Sequence, residues 1–159
     1  MNTNLIDAVA FEVLWSRLIS IVNEQAAALM HASFTRVVRE AGDLSAGVFD
    51  AEGNMLAQAV TGTPGHINTM ATCVRHFVKK HPLDTLKPGD SLLTNDPWRG
   101  TGHLHDFTFV TPAFRNGEFV ALFASTCHVV DIGGRGMTPD GRQIFEEGLF
   151  IPLMRFARA

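Results

Sequence analysis

Asp106-Phe107-Thr108-Phe109-Val110-Thr111-Pro112 and Phe119-Val120-Ala121-Leu122-Phe123-Ala124-Ser125-Thr126-Cys127 each read as a strand rich in β-branched and aromatic residues. Between them stands Arg115-Asn116-Gly117-Glu118. Asn-Gly flanked by apolar runs marks a two-residue hairpin turn, because both turn positions need positive φ. Counting outward from that turn pairs Arg115 with Glu118, sets His105 opposite His128, and sets Asp106 opposite Cys127. Facing residues have Cβ atoms about 4.5–5.5 Å apart. Imidazole and carboxylate groups therefore meet at the open end of one hairpin, where they can hold a divalent metal. The competing reading is a polar sheet end whose histidines and aspartates cap one another.

The segments on either side extend that end. Upstream, Asn95-Asp96-Pro97-Trp98-Arg99-Gly100-Thr101-Gly102-His103-Leu104-His105 is a loop, with proline and two glycines, following a strand Ser91-Leu92-Leu93-Thr94. Downstream, His128-Val129-Val130-Asp131 leads into Gly133-Gly134-Arg135-Gly136. That glycine run lacks the Lys-Ser/Thr of a phosphate-binding loop, so the chain is expected not to hydrolyse ATP itself. Glu146-Glu147-Gly148-Leu149 then precedes an apolar extended end, Phe150-Ile151-Pro152-Leu153. Either glutamate can serve as a general base, Glu146 being the one assigned here, although adjacent glutamates commonly face solvent.

Toward the N-terminus, residues 7–39 read as a helix capped by Asp7. Phe11, Leu14, Leu18, Ile21, Val22 and Leu29 form its apolar stripe, with a break expected near Ser33-Phe34-Thr35. Gly42 ends the helical region. Residues 43–50 and 55–60 form a second hairpin around Ala51-Glu52-Gly53-Asn54. Asp43, at the junction, is either a turn residue or a carboxylate at a sheet end. A second helix is expected over 67–80, with Met70, Val74, Phe77 and Val78 inward and Pro82 beyond its end. His66, at its start, is a catalytic candidate beside N–H groups able to receive an anion. His31, His76 and His81 read as ordinary helix and surface histidines. The fold class is α+β: a long N-terminal helix and a second helix packed on antiparallel hairpins.

The 159 residues suffice for one domain with a core, here taken as 1–159, and 46% hydrophobic with 18% charged residues is an ordinary globular balance. A net charge of -3 gives no basic footprint for nucleic acid. Cys73 and Cys127 make no disulfide framework. No apolar run approaches a membrane span, and Met1-Asn2-Thr3-Asn4 lacks the basic start of a signal peptide, so a cytoplasmic location is expected.

Four segments occur together in order: Phe11-Glu12-Val13-Leu14-Trp15-Ser16-Arg17-Leu18, the 95–106 loop, His128-Val129-Val130-Asp131-Ile132-Gly133-Gly134, and Glu146-Glu147-Gly148-Leu149. In this combination the chain resembles the hydantoinase B/oxoprolinase family, specifically the N-terminal portion of its longer B-type subunits. The resemblance implies an ATP-dependent amidohydrolase of small cyclic amides, working with a hydantoinase A-type subunit that binds ATP and phosphorylates the substrate. ATP-dependent ketone carboxylation and a non-catalytic assembly role are the alternatives. It further implies His103, Asp106 and His128 as ligands of manganese, zinc or iron, with Asp43 as a fourth. Asp131 or His105 would orient a ligand imidazole. Ideal hairpin counting favours His105 over His103. A one-residue change in the turn, or a bulge near the loop, would reconcile the two.

Overall fold

The computed structural model describes residues 7–136 and 138–158; the N-terminal reading of Met1-Asn2-Thr3-Asn4 lies outside the described residues. Asp7 caps α1 (Ala8–Ala32), its carboxylate accepting from Ala10 N at 2.7 Å. The helix breaks at Ser33–Thr35 as expected and resumes as one turn, α2 (Arg36–Arg39). β1 (Leu44–Phe49) and β2 (Met55–Gln58) follow, then α3 (Pro64–Lys80) and β3 (Ser91–Thr94). β4 (Asp106–Arg115), β5 (Glu118–His128) and β6 (Met154–Ala157) complete one antiparallel sheet in the order β2-β1-β5-β4-β3-β6. The architecture is α+β.

Helices cover both faces of the sheet, which is why β1 is buried along its whole length. Leu44, Ala46, Val48 and Ala121 pack against Val22 and Ala26 of α1 and Val38 of α2. Phe49, Val110, Leu122 and Ala124 pack against Met70, Cys73, Val74 and Phe77 of α3. No helix among the described residues is long and apolar enough to cross a membrane.

Two details differ from expectation. Phe11, Leu14 and Ile21 of the α1 stripe are exposed, while Val22 and Ala26 are buried. A helix of 25 residues is about 37 Å long, whereas six residues of strand span about 20 Å, so α1 overruns the strands beneath it. α3 starts at Pro64 rather than Ile67, because proline suits the first helical position, where no N–H partner is needed.

The hairpin register is the difference that matters for function. Asn116 and Gly117 take the positive φ of the expected turn, 53° and 82°. Arg115 faces Glu118 and Phe114 faces Phe119, but Ala113 then faces Ala121, leaving Val120 as a bulge. Every pair beyond moves by one. Asp106 faces His128 and Phe107 faces Cys127, correcting the pairing of His105 with His128 and Asp106 with Cys127.

Candidate metal centre

Because strand side chains alternate, Asp106, Thr108 and Val110 share the α3 face of β4, as Ala124, Thr126 and His128 do on β5. Thr108 and Thr126 hydroxyls bond across the pair at 2.9 Å, tying the two strands one step behind the site. β1 closes the other flank: His128 N donates to Asp43 O, placing Asp43 beside His128 at the strand end. α3 begins directly over this point. Thr63 precedes it and makes no side-chain cap; its hydroxyl instead donates to Asp43 Oδ1 at 2.6 Å. The first turn then directs His66 inward, where it is buried.

Asp106 is the hub. Its fully buried carboxylate lies 2.8 Å from His66 Nε2, 2.9 Å from His103 Nε2 and 3.2 Å from His128 Nδ1. Asp43 stands 3.6 Å from His66 Nε2 and 3.8 Å from His128 Nδ1. The contacts of Asp106 Oδ2 are close without being aligned as hydrogen bonds, and that buried oxygen has no hydrogen-bond partner. The second ring nitrogens of His66 and His103 are likewise buried and unbonded. Leaving buried polar atoms unpaired is costly, and imidazole and carboxylate donors converging on one buried point are what a cation-binding cluster looks like. One ligand atom each from His103, Asp106 and His128 falls within 4.8 Å of the others. These separations lie near the roughly 3.4 Å ligand-to-ligand edge of a tetrahedral ion with bonds of about 2.0–2.1 Å. The residues present therefore fit a divalent transition metal.

The electrostatics follow from this packing. Burial alone would raise the Asp106 pKa; the imidazoles of His103 and His66 and the Thr101 hydroxyl outweigh it and hold the carboxyl well below the usual range. The same contact with Asp106 raises the His103 pKa against the effect of burial. His105 is pushed the other way, by burial first and by neighbouring His128 second. Burial lifts the Cys127 thiol to about 11, and its side chain packs with the α1-side core on the opposite face of the sheet, away from the cluster.

The remaining candidates are placed apart. Asp131 is exposed and accepts from Gly133 N at 3.0 Å, closing a local turn. Glu146 pairs with Arg135 at 2.9 Å on the surface. Its neighbour Glu147 is the glutamate that turns inward: Oε2 accepts from Leu104 N at 2.7 Å and stands 3.7 Å from His105 Nδ1. Asn95 makes this contact possible. Its amide nitrogen donates to Leu104 O and Leu149 O, and its Oδ1 accepts from Ile151 N at 2.6 Å, drawing the 149–151 segment onto the loop that carries His103. At the rim Trp98 and Phe145, both exposed, lie with ring centroids 6.0 Å apart.

Residues 7–159 match the family described as hydantoinase B/oxoprolinase. The chain is 35% identical over 150 residues to the 5-oxoprolinase of Saccharomyces cerevisiae, covering 92% of this chain and 12% of that protein. Its structure superposes on acetone carboxylase, in work on ATP-dependent acetone carboxylation, with a TM-score of 0.78 at 25% identity, over 92% of this chain and 20% of that one. An ATP-dependent caprolactamase from Pseudomonas jessenii gives 0.77 at 26% identity, over 96% and 26%. The chain thus spans about an eighth of the length of the curated relative.

Proposed function

The chain belongs to the hydantoinase B/oxoprolinase family, and we propose that it carries the divalent-metal centre of an ATP-dependent hydrolase acting on small cyclic amides of the 5-oxoproline or hydantoin class. The observation that carries this reading is the buried Asp106 carboxylate in contact with three imidazole nitrogens, at 2.8, 2.9 and 3.2 Å. His103, Asp106 and His128, with Asp43 alongside, would hold the ion; mixed nitrogen and oxygen donors suit manganese, zinc or iron better than calcium or magnesium. When bound, the metal supplies a Lewis acid for a carbonyl oxygen and a more acidic water.

The protein groups handle the protons. Opening a lactam adds water across the C–N bond, so one proton leaves the attacking water and one reaches the departing nitrogen. His66, within reach of both Asp43 and Asp106, would take the first proton and return the second. Glu146 and Asp131 face away and serve the surrounding loop. Trp98 and Phe145 offer apolar faces against which a small ring can lie. ATP enters through a hydantoinase A-type partner, in keeping with the absence of a phosphate-binding motif in these 159 residues.

Carboxylation of a ketone is the second reading, favoured by the TM-score of 0.78 to acetone carboxylase. Co-expression with an A-type partner separates the two: ATP-dependent opening of 5-oxoproline or hydantoin supports hydrolysis, whereas consumption of bicarbonate and ketone supports carboxylation. For the centre itself, tag-free chain dialysed against metal-free buffer should retain one equivalent of transition metal. His128→Ala should lose it while circular dichroism stays unchanged. Equal metal content in wild type and in the His103, Asp106 and His128 variants would sink the assignment and leave an assembly role.

A further inference from the structure

We propose that the centre contains a second, weaker seat for a divalent transition cation, built from His105 and Glu147 and sharing His103 with the first; this rests on reading His103, Asp106 and His128 as the primary ligands. His105 is 1% exposed, yet neither of its ring nitrogens has a hydrogen-bond partner. Its main chain is engaged, the carbonyl accepting from Val129 N at 2.7 Å, so only the imidazole is left over. That ring stacks on His128 at 5.4 Å with planes 11° apart. A side chain held for packing alone would carry no nitrogens to strand there; two unpaired polar atoms at full burial point to a ligand.

Glu147 supplies the anionic partner. Its Oε2 is fixed by Leu104 N and stands 3.7 Å from His105 Nδ1, close to the roughly 3.4 Å separation of two ligands on one tetrahedral ion. One ligand atom each from His103, His105 and Glu147 lies within 4.8 Å of the others. His103 can serve both seats: Nε2 faces Asp106, while Nδ1 is buried and unbonded. To hold both ions through its two nitrogens, the His103 imidazole would have to give up its proton to solvent. The second seat is the weaker because it has one carboxylate, already accepting a backbone hydrogen bond, where the first has Asp106 with Asp43 beside it.

Cobalt(II) titration of the metal-free chain, followed by visible absorption and calorimetry, tests this. Wild type should take up two equivalents, one tight and one weak. The double variant His105→Gln/Glu147→Gln should keep the tight equivalent and lose the weak one, and Glu147→Gln alone should weaken only the second. Saturation of wild type at one equivalent, or two equivalents persisting in the double variant, overturns the proposal. Failure of the primary reading gives a different pattern: His128→Ala would then leave the tight equivalent in place, whatever the double variant does.

Discussion

Asp106 and His103 illustrate how one contact sets two properties. Their 2.9 Å approach raises the His103 pKa above its ordinary 6.5. In the metal-free chain the folded state therefore binds that proton more tightly than the unfolded chain, so the contact stabilises below pH 6.5 and fades as pH rises through the folded value. A metal needs the same nitrogen unprotonated. Affinity at the primary seat should accordingly fall by about tenfold per pH unit once pH drops below the raised value, starting above pH 6.5. Calorimetric titration at pH 8, 7 and 6 checks this; a constant affinity across that range would show that His103 is not a ligand. At this scale the sequence was partly legible. Hairpin counting brings the histidines and aspartate to one sheet end but favours His105; His103, Asp106 and His128 as a ligand set come from the family resemblance. Glu147 was not nameable, since adjacent glutamates look alike until Asn95 draws one segment onto another.

Among the elements, helix and hairpin existence followed from periodicity and turn residues, and boundaries from Asp7, Gly42, Asn116 and Gly117. The bulge had no comparable mark. Val120 sits in an apolar run where any residue could be the extra one, yet it decides whether Asp106 or His105 faces His128. The loops depend on long-range bonding that periodicity does not encode. β3 ends at Thr94, Asn95 follows, and both hold Ile151: Thr94 Oγ1 donates to its carbonyl at 2.9 Å and Asn95 Oδ1 accepts its N–H. Asn95 is buried and makes three side-chain bonds, to Leu104, Leu149 and Ile151. Asn95→Ala strands two carbonyls and one N–H, so it should cost about 3 kcal/mol in urea unfolding. It should also free Glu147 from the cluster. An unchanged unfolding midpoint would mean that the 149–151 segment holds its place without this clamp.

Across the whole molecule, the cluster joins five separate parts of the chain. Asp43 comes from the approach to β1, His66 from the first turn of α3, His103 from the long loop, Asp106 from β4 and His128 from β5. The two apolar cores lie on opposite faces of the sheet. An ion held by His103, Asp106, His128 and Asp43 would cross-link the long loop to the ends of β1, β4 and β5, and would bind only the folded state, because the unfolded chain has no preformed site. A free ion at a hundred times its dissociation constant stabilises by about 2.7 kcal/mol. For a chain of this size that corresponds to a rise in Tm of about 5–10 °C. Heating the metal-loaded chain with and without a chelator should display that difference in wild type. It should vanish in Asp106→Asn, which keeps the side-chain shape but removes the negative charge at the hub. Equal melting with and without chelator in wild type would argue that the imidazoles and carboxylates satisfy one another without an ion.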